Sequence, residues 1–237
     1  YGPILIRMIL KKFFKSIKKL KEILVVLMIN FVFRAVSSLV LAPLFLWVAY
    51  INNIFFHLFL LLVFTISLYE LKFVFIKKKT FYFFLFFLIL AFLLSTLGVR
   101  GNSNNGFYYF LWIILVVWLS DIGGYLFGNI FKGPALSKWS PKKTFSGLIG
   151  SFTLAQFAFV IPSMFGQGFE YTLAIFLSQF FLSIIAILGD LFFSFIKRTH
   201  NIKDYSNLIP GHGGLLDRID GMIFVMIFAY LLKSYGY

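Results

Sequence analysis

The sequence predicts an all-α, polytopic integral membrane protein, a bundle of about seven transmembrane helices. Three observations predict it. Hydrophobic residues make up 61% of the 237 and charged residues only 13%, for a mean hydropathy of +0.94, which is more apolar surface than one soluble core can hide. The apolar residues fall into stretches close to the roughly 20 that cross a hydrocarbon core of about 30 Å, with short polar breaks between them. The basic residues lie in those breaks rather than on a soluble face, so the net charge of +14 reads as membrane orientation and not as affinity for nucleic acid.

In chain order, the first element is basic and amphipathic. Leu10, Phe13, Phe14, Ile17, Leu20 and Leu24 recur at helical spacing, while Lys11, Lys12, Lys15, Lys18, Lys19 and Lys21 fill the opposite face. Residues 1–30 therefore read as a helix lying on an anionic leaflet. The apolar run after Lys21 is short and no small-residue cleavage site follows, so a retained segment is expected rather than a signal peptide. Membrane helices follow at 31–51, 54–71, 80–98, 107–130, 147–163, 171–196 and 217–236, each long enough to span or nearly so.

With the N-terminus cytoplasmic, the inside segments are 1–30, Lys72 to Lys79, 131–146 and 197–216. Counting Arg34 and Arg218 at helix ends as inside, only Arg100 and Lys233 of the 22 Lys and Arg fall outside. Nothing resembles a flexible linker, a low-complexity tract or an internal repeat, so 31–237 reads as a single membrane domain. Phenylalanine is unusually frequent, at 35 residues, and reads as lipid-facing filler.

The chemistry must sit where the charge is least at home. Of eight acidic residues, Asp121, Asp190, Asp217 and Asp220 lie within or at the ends of apolar helices, where an aspartate costs roughly 2.5 to 3.5 kcal/mol at the centre and is usually turned to a polar cavity. Asp217 and Asp220 are three apart, so they share a helix face and can share a cation. Glycines flank the others: Gly189 precedes Asp190, and Gly123, Gly124 and Gly128 follow Asp121. All-oxygen donors suit a hard cation such as magnesium, whereas the bland alternative is ion pairing, for instance of Asp217 or Asp220 with Lys197 or Arg218.

Two cytoplasmic segments supply the opposite charge. One is Ser140, Pro141, Lys142, Lys143 and Thr144; the other is Lys197, Arg198 and Lys203, close before Pro210, Gly211, His212, Gly213 and Gly214. Cations beside glycine-rich backbone make a candidate phosphate cradle, though on charge alone both are ordinary positive-inside loops. His212 is a candidate acid, base or phosphate ligand, or simply a cap for the helix beginning near Leu215, and His57 reads as a packed residue. Cysteine is absent, which excludes disulfides, thiolate metal sites and cysteine nucleophiles, and neither a Walker loop nor a Rossmann fingerprint occurs.

The run from Ser194 to Asp220, SFIKRTHNIKDYSNLIPGHGGLLDRID, resembles the signature of the phosphatidate cytidylyltransferase family at Ser194, Lys197, Arg198, Lys203, Asp204, Ser206, Pro210, His212, Gly213, Gly214, Asp217, Arg218 and Asp220. The stretch from Asp121 to Gly147, DIGGYLFGNIFKGPALSKWSPKKTFSG, resembles the family's other motif, with one departure: Ser146 stands where members commonly carry glutamate. Together they place the motifs within 115–236. The N-terminal half is similar only in Arg34, Pro43 and Glu70.

The resemblance implies a nucleotidyltransferase of phospholipid biosynthesis that joins CTP to phosphatidic acid, giving CDP-diacylglycerol and pyrophosphate. It implies that 31–237 is the catalytic domain, with Asp190, Asp217, Asp220, Lys197, Arg198 and Arg218 catalytic. Asp190, Asp217 and Asp220, with Asp121, would hold magnesium, alone or with a second cation. Ser140, Lys142, Lys143, Thr144, Lys203, Gly211, His212, Gly213 and Gly214 would bind CTP and phosphate. The expected partners are these two substrates and membrane lipid, without nucleic acid and with room for a homodimer; the expected location is a bacterial-type inner membrane, active site facing the cytoplasm. A CTP-dependent polyprenol or phytol kinase is the nearest alternative, and a transporter with intramembrane aspartates the alternative from another class.

Overall fold

A computed structural model describes residues 40–52, 54–72, 79–165, 172–209 and 213–234. The basic segment 1–30, Arg34, Gly211 and His212 lie outside them. The described chain is a helical bundle: α1 (Val40–Ile51), α2 (Ile54–Glu70), α3 (Lys79–Arg100), α4 (Asn104–Phe131), α5 (Phe145–Ala155), α6 (Val160–Phe165), α7 (Leu173–Thr199) and α8 (Leu216–Ser234). The start expected at 31 and the end expected at 236 lie outside the described residues; the other boundaries fall within a few residues of the sequence expectation, except within 131–163.

Among the described residues four segments are long and apolar enough to cross a membrane: Phe81–Arg100, Asn104–Phe131, Phe145–Phe165 and Leu173–Thr199. Helices α1 and α2 are shorter apolar helices, and α8 mixes apolar residues with Asp217, Arg218, Asp220 and Lys233. Large apolar side chains such as Trp47, Phe55, Phe83, Phe87 and Phe181 stand exposed on the outside of the bundle, an arrangement that only lipid makes favourable. The protein is an integral membrane protein.

The sequence pattern misses two features. The expected helix over 147–163 breaks at a 3₁₀ turn, Gln156–Phe159, between α5 and α6. A buried amide sits at this break: with its side-chain oxygen and nitrogen exchanged, the orientation that satisfies both, Gln179 of α7 donates to Gln156 Oε1 (3.0 Å) and accepts from Trp112 Nε1 (3.0 Å) and the Phe159 amide (3.2 Å), so that a side chain serves a backbone donor where the α-helix is interrupted. The loop expected over 131–146 contains a hairpin, β1 (Ala135–Ser137) antiparallel to β2 (Ser140–Thr144). Helix α4 ends at Lys132 (φ 54) and Gly133 (φ 122), a left-handed turn that glycine adopts freely, and Trp139 at the hairpin tip packs edge-on to Phe195 of α7 at 5.0 Å.

Helices α4 and α5 meet backbone to backbone. A Cβ on Gly147 would lie 2.7 Å from the Gly124 carbonyl, and one on Gly150 would overlap the Phe127 side chain and the Gly123 carbonyl. Small residues on both faces allow this approach, as is usual where lipid gives helices no hydrophobic reason to associate. Gly150→Val is therefore expected to destabilise the bundle by about 1–3 kcal/mol through overpacking, read as a lowered thermal midpoint in detergent; an unchanged midpoint would contradict this packing.

At the end of α8 away from its aspartates, the two basic residues that the charge pattern leaves outside come together. Arg100 is 2% exposed and donates to the carbonyls of Ala49 (2.6 Å), Tyr50 (3.1 Å), Gly101 (3.2 Å) and Ser103 (2.9 Å). Lys233 donates to Gly98 O (3.0 Å) and Val99 O (2.8 Å). Both cations are spent on the orphan carbonyls that close helices α1 and α3.

Candidate active site

At the opposite end of α8, three helices and the hairpin bring the expected residues together. The crossing of α7 and α8 is glycine-lined: a Cβ on Gly189 would lie 3.1 Å from the Asp220 carbonyl, and one on Gly221 would lie 2.9 Å from the Ala186 carbonyl. Bare backbone at these positions sets Asp190 and Asp220 side by side. The α4–α5 contact does the same for Asp121 and for Thr144, whose hydroxyl accepts the Gly147 amide at 3.2 Å and so caps α5 directly after the basic strand.

The carboxylates are already countered by lysine. Lys197, on the last turn of α7, donates to Asp217 Oδ1 at 2.7 Å and lies 3.8 Å from Asp220 Oδ2, with side chains only 10%, 3% and 13% exposed. Asp217 and Asp220, three apart on α8, thus face one ammonium group. Lys143 of β2 pairs with Asp190 Oδ2, while Ser194 Oγ donates to Asp190 Oδ1 at 3.3 Å. Asp220 has Asp190, Lys197 and Asp121 as charged neighbours, and Asp121 has Lys143, Asp190 and Arg218. The four aspartates belong to one charged cluster.

Asp217 plays a part that spacing does not show. Its Oδ2 accepts the amides of Tyr205 (2.9 Å) and Gly214 (3.0 Å), so this one side chain fixes the loop after α7 and the start of α8. Tyr205 is 1% exposed, with Lys197 5.5 Å from the centre of its ring. Burial first, and then the carboxylates of Asp217, Asp220 and Glu70, hold its phenol well above the ordinary value, so it stays neutral.

Of the glycine turn expected to bind phosphate, Gly213 and Gly214 are described. Gly213 (φ 87) donates its amide to Ile209 O at 3.1 Å, and Gly214 gives its own to Asp217. Both donors are consumed in shaping the turn. Of the remaining expected residues, Lys142 and Arg218 are exposed, and Ser140 is half-buried at the start of β2. Arg198 donates to Ile202 O at 3.1 Å, closing α7. Lys203 lines a cavity of about 460 Å³ between the end of α2 and the loop 202–207, together with Lys72, Glu70, Tyr205 and Ser206.

Ser146, in the position of the family's glutamate, bonds to the Lys132 carbonyl and lies 2.9 Å from Thr144 Oγ1, fastening hairpin to helix. Glu70 is the residue that sequence reasoning left without a role. The cost argument applied to the four aspartates would have found it, since it too is an acid at the end of an apolar helix.

Fold and site together define a polytopic helical membrane protein with a carboxylate and lysine cluster at one end of its helices. The chain belongs to the cytidylyltransferase family, whose sequence profile matches residues 8–235. It is similar to proteins named phosphatidate cytidylyltransferase: 38% identical over 135 residues to that of Rickettsia conorii, covering 52% of this chain and 59% of the relative; 35% over 137 residues to that of Bacillus subtilis, covering 57% and 51%; and 35% over 160 residues to that of Aquifex aeolicus, covering 67% and 58%. The chain spans just over half the length of these relatives.

Proposed function

We propose that the chain is a phosphatidate cytidylyltransferase. The observation that carries this reading is the convergence of Asp121, Asp190, Asp217 and Asp220 with Lys143 and Lys197 at the ends of apolar helices, in a chain of the cytidylyltransferase family. A phosphate oxygen of phosphatidic acid attacks the α-phosphorus of CTP. One P–O bond forms, the α–β anhydride bond breaks, and pyrophosphate carries away the electron pair. Because the attacking oxygen is already an anion, no general base is needed, and the work is positioning and charge neutralisation.

The donor set fits magnesium. Among the described residues no three acidic or histidine side chains stand close enough to hold an ion by themselves, but this ion is commonly held by one or two carboxylates plus substrate oxygens. Asp220 and Asp190, with Asp121, would hold it, and when bound it supplies neutralisation of the triphosphate charge. Lys143 and Lys197 stand against these carboxylates and are the chain's own means of meeting phosphate oxygens once substrate enters. Asp217 keeps Lys197 in place. Lys142 and Arg218 are exposed beside the cluster and give the entering polyanions their first attraction.

A cytoplasmic site in an inner membrane follows from the inside excess of Lys and Arg and from the meeting of a soluble nucleotide with a lipid that stays in the bilayer. The test is purified protein in detergent with magnesium, phosphatidic acid and CTP labelled at either the α- or the γ-phosphate. The α-label should enter lipid as CDP-diacylglycerol and the γ-label should leave as pyrophosphate. Gamma-label in lipid with CDP released would make the chain a lipid kinase; no label in lipid would refute the reading.

A further inference from the structure

Helix α8 carries the aspartates, yet its start is held by a residue from the other half of the chain. Glu70, the last residue of α2, is 1% exposed. Its Oε1 accepts the Ser206 hydroxyl at 2.6 Å and the Leu215 amide at 2.9 Å, and its Oε2 accepts the Leu216 amide at 2.7 Å. Leu215 and Leu216 are the first donors of α8, groups left without intrahelical partners and usually served by a Ser, Thr, Asp or Asn at the cap. Here a carboxylate from 145 and 146 residues away in sequence does so, at the end of the helix where negative charge is favoured.

The fit is close. A Cβ on Gly214 would lie 2.8 and 2.9 Å from the two Glu70 oxygens and 3.0 Å from Asp217 Oδ2, so the carboxylates grip the bare backbone from two sides. Asp217 binds the Tyr205 and Gly214 amides while Glu70 binds Ser206, Leu215 and Leu216. Loop 205–206 and the α8 start are thereby locked to each other, and Lys197 is fixed between Asp217 and Asp220.

We infer that Glu70 is a positioning residue: it touches no reacting group but, as surrogate cap of α8, sets where Asp217, Asp220 and through them Lys197 stand. Its activity readout rests on the proposed cytidylyl transfer; its structural readout does not. A displacement of about 1 Å at a reacting centre can cost on the order of 10²-fold in rate.

The experiment compares full-length protein in detergent with Glu70→Gln, Glu70→Asp and Ser206→Ala. Glutamine keeps one acceptor and turns a donor towards either the Leu215 or the Leu216 amide, which bond to different oxygens of Glu70. Glu70→Gln is expected to lower kcat about 30-fold with KM for CTP within about threefold, while amide hydrogen exchange over 213–216 quickens about tenfold or more and that over 222–229 is unchanged. Glu70→Asp should recover part of kcat. A kcat within about twofold of wild type in Glu70→Gln, or a loss confined to KM for CTP, overturns the inference, because the latter marks uniform substrate binding.

Should Glu70→Gln not fold, Ser206→Ala decides: a roughly threefold lower kcat with quickened exchange over 213–216 upholds the role, and wild-type values for both overturn it. If wild-type protein makes no CDP-diacylglycerol, the proposed reaction fails and the exchange comparison alone judges Glu70.

Discussion

Lys197→Met is expected to remove activity to below about one part in 10³ and to cost the fold about 3–5 kcal/mol, the usual consequence of deleting one partner of a buried charge cluster. Methionine fills a similar volume, so the loss comes from charge. Without the ammonium, Asp217 and Asp220 face each other with side chains 3% and 13% exposed and no counterion. The measurements are product formation and the thermal midpoint in detergent, with added magnesium as a variable. A variant that keeps its midpoint would show that the lysine is not what neutralises this pair.

Asp220→Asn separates chemistry from architecture. Asp220 Oδ1 accepts the Gly221 amide at 2.9 Å, a bond that asparagine keeps, so the midpoint should stay within a few degrees. The charge facing Lys197 and the proposed cation is gone, and a loss of several kcal/mol of transition-state stabilisation corresponds to about 10³ in kcat. Asp217→Asn should differ in kind: its Oδ2 serves two backbone amides and its Oδ1 the Lys197 ammonium, and an asparagine whose oxygen keeps the two amides turns its NH2 group against the ammonium, so stability falls along with rate. Equal midpoints for the two variants would erase this distinction between them.

How much of this was legible in the sequence depends on which interactions are local. Helix positions follow from apolar runs, and the pairing of Asp217 with Asp220 follows from a spacing of three on one helix. Lipid makes every buried charge expensive, so the four aspartates announce a polar cluster wherever they lie. What remained hidden was partner choice. Nothing in the sequence distinguishes Lys143, which meets Asp190, from Lys142 beside it, which is exposed; the strand's alternation decides, and the hairpin was not expected. Gln156 gives no warning that Gln179 will bond to it where its helix breaks, because that bond joins elements distant in sequence. Nor does the glycine turn show in the sequence that Ile209 and Asp217 accept the amides of Gly213 and Gly214.

The Glu70 contact also bears on biogenesis. A polypeptide threaded into the bilayer in order of synthesis delivers α2 long before Leu215 and Leu216 exist, leaving Glu70 waiting at the water boundary, where an unpaired carboxylate costs little. When the later segment arrives, three donors find an acceptor already in place. Assembly of the reactive end thus waits for the later part of the chain, and a nascent chain stalled before Leu215 would carry Asp121 and Asp190 without Asp217 and Asp220.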